Sequence, residues 1–307
     1  MHSEKETKTQ GAGEEPRLQN AGGRPKTLYM LRRAGMERLQ RSGIDDAKTD
    51  SLLLLEAAAG IDLQQYLMRM QEPAGADVES AYDALISRRC THEPLQYITG
   101  TADFCGLTFH VDSSVLIPRQ DTETAVETAL PYLTPDSRVL DLCTGSGCII
   151  ITLAKQAGLR DAAGSDISGK ALAIAARNAR ELGCPDIRFI QSDLFEKITG
   201  RYDMIISNPP YIPSDVIGGL MQEVRDHEPH SALDGGADGL DFYREITAQA
   251  GAHLTPGGIL LTEIGYDQGE TAAALFEEAG FADVKAVRDL AGNNRVVYGR
   301  YVHVRQT

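Results

Sequence analysis

The chain has 307 residues, 42% of them hydrophobic, with a formal net charge of −14 and an isoelectric point near 4.9. That length allows two domains with a sizeable core, and an acidic balance without any dense Lys/Arg run argues against a broad electrostatic grip on nucleic acid. Cys90, Cys105, Cys143, Cys148 and Cys184 lack paired metal-ligand spacing, no apolar stretch approaches the ~20 residues that span a bilayer, and the N-terminus shows no apolar h-region. Reduced thiols, no metal site, no membrane span and a cytoplasmic location are therefore expected.

Residues 1–24 are polar and rich in Gly, Glu and Lys, which predicts a disordered extension. From 25 to 95 the pattern predicts a small helical bundle. Leu28, Leu31, Met36 and Leu39 mark one helical face, Leu52 to Leu55 a buried helix, Tyr66 and Leu67 a third, and Tyr82, Leu85 and Ile86 a fourth. Gly43 and Gly60 punctuate them, and Asp62 is placed to cap the third. Residues 96–115 alternate around Gly100 and Gly106, which predicts a β-hairpin linking this bundle to a second domain over 116–307.

In that second domain strands and helices alternate, so the expected class is α/β, a mainly parallel, doubly wound sheet. Ser137–Leu142 reads as a buried strand, Cys143-Thr144-Gly145-Ser146-Gly147 as a loop of small residues, and Cys148–Lys155 as a helix. Glycines there let the backbone approach a ligand, and the helix start offers free N–H groups. Asp141, at the strand end, would repel a pyrophosphate and suits a cation, such as the amino group of an S-adenosylmethionine tail. The next strand-like run ends in Asp166, near the spacing at which an acid takes ribose hydroxyls. A third, from Ile187, ends in Asp193, which with Leu194 would flank an adenine. Further strands are expected at Met204–Ile206, Gly258–Ile264 and Arg295–Gly299.

Asn208-Pro209-Pro210-Tyr211 follows the Met204–Ile206 run. A residue before proline is pushed out of the helical region, so Asn208 should leave its strand extended, with its side chain over the sheet end. Its amide oxygen can accept from one proton of a planar NH2 group, and the carbonyl of Pro209, on a stiff segment, from the other. Two such acceptors favour a more pyramidal nitrogen and aim its lone pair at an electrophilic methyl group. Tyr211 can stack on the flat face of the substrate. No strong base is required, because the proton can leave after the methyl arrives.

The chain at this point resembles the class I S-adenosylmethionine-dependent methyltransferases, and within them the family that methylates the glutamine side-chain amide of peptide chain release factors. Two segments carry the more specific resemblance: Pro94–Gly100 leading through Phe104–Leu107 to Val115–Arg119, and His227–Gly236 continuing to Asp238–Leu240 and Tyr243-Arg244. The resemblance implies that Asn208 and Pro209 bind the glutamine amide of a Gly-Gly-Gln loop, with Pro210 and Tyr211 lining the pocket. It implies S-adenosylmethionine as cofactor, S-adenosylhomocysteine as product, and Asp141, Cys143, Thr144, Gly145, Ser146, Gly147, Asp166, Asp193, Leu194 and Asn208 around them. It also implies that the helical bundle recognises the body of the release factor. Cys143 stands where many relatives have glycine, and Gln120-Asp121 replace a frequent Pro-Glu.

The nearest rival chemistry is N6 methylation of adenine in nucleic acid, whose exocyclic amine resembles a carboxamide. Its basic groove and base extraction find no counterpart in this charge balance. A ribosomal-protein glutamine methyltransferase and a cofactor-binding protein without catalysis are further readings. His227 and His230 are expected in loop packing, and Glu228-Pro229 with Asp234-Gly235-Gly236 as turns shaping a lid.

Overall fold

The computed structural model describes residues 26–302; the expected extension over 1–24 lies outside the described residues. Four helices open the chain: α1 (Leu28–Arg41), α2 (Ala47–Ala59), α3 (Leu63–Arg69) and α4 (Ala76–Arg89). Thr27 caps the start of α1 and Asp62 forms a capping box with Gln65 at the start of α3, while Gly60, in the left-handed region, ends α2. Their shared core holds Leu28, Leu31, Leu39, Leu54, Leu55, Tyr66, Tyr82 and Ile86. Leu67, expected beside Tyr66, is instead 59% exposed. In a seven-residue helix only one face is buried, and Tyr66 occupies it.

The expected hairpin over 96–115 is shorter. Residues Leu95–Thr99 form helix α5, which starts on Pro94 and ends where the Gly100 N–H reaches the Gln96 carbonyl at 2.8 Å. Only β1 (Thr101–Phe104) and β2 (Leu107–His110) pair, antiparallel. Pro94 presets a helical start and Gly100 supplies the left-handed stop, so local capping overrides the apparent alternation.

The remaining strands are β3 (Arg138–Leu142), β4 (Asp161–Asp166), β5 (Arg188–Gln191), β6 (Tyr202–Ser207), β7 (Leu254–Glu263), β8 (Phe281–Arg288) and β9 (Asn294–Tyr301). They form one sheet in the order β5-β4-β3-β6-β7-β9-β8, parallel except for β9, which runs antiparallel to both neighbours. Strand β8 is an addition to the expected set. At the sheet edge it buries few side chains, and a register shift after Ala282 breaks its alternation.

Successive strand residues feed opposite cores. Val139, Met204, Ile206, Ile259 and Leu261 face α6 (Glu123–Ala129), α7 (Cys148–Ala157) and α8 (Gly169–Glu181). Leu140, Leu142, Ile205 and Leu260 face α10 (Asp241–His253) and α11 (Gly269–Glu278). A short α9 (Gln222–His227) precedes α10. The chain winds one way from β3 to β4 and the other way to β6, so a crevice opens beyond the carboxyl ends of β3, β4 and β6.

Candidate active site

That crevice is a cleft of about 580 Å³, within the range of small-ligand sites. Cys143, Gly145, Asp166, Asp193, Leu194, Asn208 and Pro210 line it, among the residues expected from sequence. Its far wall comes from Pro229–Ala232, Asp234 and Gly236, and from Asp241, Phe242 and Glu245 at the start of α10. Ser114, Val115 and Leu116 close another side.

The loop after β3 is built from the inside. The Thr144 hydroxyl donates to Asp141 Oδ2 at 2.6 Å, and its N–H donates to the Ser165 carbonyl at 2.9 Å. Asp141 was expected to meet a cationic amine, yet it is fully buried and lies outside the cleft lining. Burial pushes its carboxyl up to about 7, opposed by the Thr144 hydrogen bond. It lies beneath the loop, its Oδ1 buried without a hydrogen-bond partner. Thr144 and Ser146 are likewise buried, the carbonyl of Ser146 accepting from Asn178 at 2.9 Å. Gly147, at φ +80°, permits close packing instead: a Cβ there would lie 2.9 Å from Ile151 Cδ1 and 3.1 Å from Ala175 Cβ. Thr144, Ser146 and Gly147 thus pack into the protein, while Cys143 and Gly145 line the cleft.

Cys143 adopts φ +57°, the left-handed conformation glycine would take without strain. Its thiol, half-buried at the cleft, is pushed well above the usual range by desolvation. Gly145 follows at φ +55° and donates its N–H to Asp166 Oδ2 at 2.9 Å, while Asp166 Oδ1 accepts from Ser168 N–H at 2.9 Å. Each carboxylate oxygen retains acceptor capacity for a diol. Ile167, 60% exposed beside it, together with Leu194 and Ala171 supplies an apolar wall for a flat base. These side chains fit a nucleoside: a diol acceptor, an apolar slot, and a glycine whose position would admit a Cβ without contact within 4 Å.

At the end of β6, Asn208 lines the cleft, and its Nδ2 donates to the Thr122 hydroxyl at 3.3 Å. Pro209 is buried beneath it. Tyr211 does not line the cleft as expected; its ring is half-buried, and its hydroxyl donates to Glu263 Oε1 at 3.3 Å. Gln268 holds the segment from behind, its Nε2 donating to the Tyr211 carbonyl at 2.9 Å. The strap over 229–239 presses on the same backbone. A Cβ on Gly235 would lie 2.7 Å from Tyr211 Cα, and one on Gly239 2.4 Å from the Tyr211 carbonyl oxygen. Arg119 pairs with the buried carboxylate of Glu228, fixing the start of this strap. His230 lines the cleft with an exposed ring, and His227 sits 3.3 Å from the Thr91 carbonyl.

Thr122, Glu263 and Gln268 were not singled out from sequence. Glu263 nevertheless repeats a signal already used, an acid closing an apolar strand, here for the fourth time. Thr122 and Gln268 carry no comparable signal, because their roles depend on contacts 86 and 57 residues away along the chain.

Residues 30–100 match the family model for the PrmC N-terminal domain, and residues 118–222 match that for the methyltransferase small domain. A release factor glutamine methyltransferase of Geobacter sulfurreducens is 44% identical over 263 residues, covering 85% of this chain and 92% of the relative. One from Agrobacterium fabrum is 42% identical over 285 residues, covering 90% and 98%. Another from Cereibacter sphaeroides is 42% identical over 269 residues, covering 87% and 96%.

Proposed function

Since the chain belongs to the release factor glutamine methyltransferase family, we propose that it transfers a methyl group from S-adenosylmethionine to the side-chain amide nitrogen of the glutamine in the Gly-Gly-Gln loop of peptide chain release factors. The observation that carries this reading is that Asn208 shares one cleft with Gly145 and Asp166. A planar-amine clamp and a nucleoside site thus open into the same space.

When bound, S-adenosylmethionine supplies a methyl group on a positively charged sulfur and leaves as S-adenosylhomocysteine. Asp166 would accept from its ribose hydroxyls, Ile167 and Leu194 would enclose its base, and the backbone at Gly145 would allow close approach. Asn208 would accept from one amide proton of the substrate through Oδ1, and the Pro209 carbonyl from the other, orienting a nitrogen that is a poor nucleophile when freely solvated. His230 needs no catalytic part, because the nitrogen sheds its proton after the bond has formed.

Asp193, Asp234, Asp241 and Glu245 ring the cleft and repel a polyanion, which favours a protein substrate over nucleic acid. None of the described helices is long and apolar enough to cross a membrane. A cytoplasmic place of action accords with a substrate of translation.

The test is incubation of the full chain with S-adenosylmethionine and a folded release factor, followed by mass spectrometry of the peptide bearing the Gly-Gly-Gln loop. A single methyl group on that glutamine is expected, and Asn208→Ala should abolish it while the thermal melt is retained. Unmodified peptide beside methylated adenine in a nucleic-acid control would overturn the proposal.

A further inference from the structure

A planar amide held at its two protons still needs an apolar wall against its flat face and against the methylenes that carry it. Tyr211, expected to supply that wall, turns its hydroxyl to Glu263 instead. Among the described residues that line the cleft, Phe242 of α10 carries the one benzene ring, half-buried and packed on the adjoining core.

The residues on both sides of Phe242 are tied to the tetrapeptide. Before it, the Asp241 N–H donates to the Gly235 carbonyl at 3.1 Å. Gly235 in turn lies so close to the tetrapeptide that a Cβ there would sit 2.7 Å from Tyr211 Cα and 2.9 Å from the Pro210 carbonyl oxygen. After it, the buried Tyr243 hydroxyl donates to Gln268 Oε1 at 3.1 Å, and Gln268 Nε2 donates to the Tyr211 carbonyl at 2.9 Å. The start of α10 is thereby registered against the backbone just beyond Asn208.

Helical geometry then sets the direction of the ring. Successive helix residues point about 100° apart, so Tyr243 enters the core while Phe242 emerges at the cleft beside it. Glu245, one turn further on, lines the cleft from the same side of the helix. The base of the cofactor has walls of its own. Ile167 and Leu194 follow β4 and β5, whereas Phe242 is fastened to the segment after β6, and β3 separates the two groups in the sheet order. The ring therefore stands on the clamp side of the cleft.

We infer that Phe242 is a substrate-contacting residue, its ring packing on the methylenes and flat face of the carboxamide whose protons Asn208 and the Pro209 carbonyl hold. This deepens the amide-methylation reading and rests on it. A neutral ring suits a neutral glutamine side chain, because it takes up methylene surface and keeps water off the nitrogen without competing for either proton. Carried on a helix and locked from behind by Tyr243, the ring is rigid enough to set how deep the amide enters the clamp.

The experiment compares the parent chain with Phe242→Ala, Phe242→Leu and Phe242→Tyr, using S-adenosylmethionine and a folded release factor. Phe242→Ala should raise KM for the release factor and lower kcat/KM on the order of 100-fold, the scale of a misplaced reacting group. Phe242→Leu, apolar but not flat, should fall between, and Phe242→Tyr, which keeps the ring face, should retain most of the parental kcat/KM. Calorimetric titration with S-adenosylhomocysteine, which needs no turnover, should give the same affinity in all four chains. Binding of the release factor to the chain loaded with S-adenosylhomocysteine should weaken on the order of 10-fold in Phe242→Ala, the burial of one aromatic side chain. Thermal melts check that each variant folds; should Phe242→Ala fail to, the ranking of Phe242→Tyr above Phe242→Leu decides.

Parental kcat/KM in Phe242→Ala, or equal loss in Phe242→Tyr and Phe242→Leu, would overturn the inference and leave the methylation reading standing. Weakened S-adenosylhomocysteine affinity beside an unchanged KM for the release factor would do the same, by assigning the ring to the cofactor. Absence of turnover by the parent would instead remove the methylation reading and this inference together.

Discussion

Cys143 shows how much a single backbone conformation contributes to the site. At φ +57° an L side chain costs roughly 1–2 kcal/mol relative to the ordinary right-handed region. Glycine would relieve that strain but would add freedom to the unfolded chain, roughly 0.5–1 kcal/mol in the opposite direction, and forfeit the packing of the thiol against the core. The two effects nearly cancel. Cys143→Gly should therefore stay within about 1 kcal/mol of the parent in urea denaturation, whereas β-branched Cys143→Val, a strong outlier at positive φ, should lose about 2–3 kcal/mol. A Val variant as stable as the parent would show that the turn relaxes out of the left-handed region. The left-handed turn at this position is thus a backbone requirement that cysteine meets under strain, a cost the sequence alone does not reveal.

Among the elements, the tetrapeptide depends on two partners distant in sequence: the end of β7 and the turn after it, carrying Glu263 and Gln268, and the strap carrying Gly235 and Gly239. The strap is fixed where Ile212 N–H reaches the Leu233 carbonyl at 3.0 Å and Gly235 N–H returns to the Ile212 carbonyl at 2.9 Å. A Cβ on Gly235 would meet backbone at Tyr211 and Gly239, and Pro209-Pro210 leave that backbone little freedom to yield. Gly235→Ala should cost about 1–3 kcal/mol of stability as an overpacking change, and on the order of 100-fold in kcat/KM through displacement of Asn208. Thermal melting beside steady-state kinetics checks both; loss of stability with full activity would detach the strap from the clamp. Sequence reading recognised Asp234-Gly235-Gly236 as turn chemistry near the site. What it lacked was the surface these glycines press against.

For the whole molecule, the helical bundle and the sheet domain are joined by a buried charge. Arg89 of α4, 4% exposed, donates to Asp50 of α2 at 2.7 Å and to Glu223 of α9 at 2.5 Å. Removing the guanidinium leaves the Asp50 carboxylate buried and unpaired, and such losses run at about 3–5 kcal/mol. Burial already raises the pKa of Asp50, with Arg89 holding it down. In Arg89→Met the folded-state value climbs further, so the penalty should be largest at pH 8 and ease as the pH falls and Asp50 protonates. Urea titrations at pH 8 and pH 5.5 test this, with Asp50→Asn in the Arg89→Met background recovering much of the loss at pH 8; equal penalties at both pH values would contradict the account. Read alone, the sequence determined what is local or periodic: the helical bundle, the alternation of strands and helices, the acids at strand ends, the small-residue loop, and the tetrapeptide with its amide chemistry. Those features follow from spacing, capping and the backbone limits of glycine and proline, which act between near neighbours. Only the tertiary structure decided that Asp141 lies buried beneath the loop, that Tyr211 turns back toward Glu263, and that Thr122 and Gln268 reach the tetrapeptide. The direction of a buried side chain is set by which distant groups enclose it and by the need of each enclosed donor and acceptor for a partner.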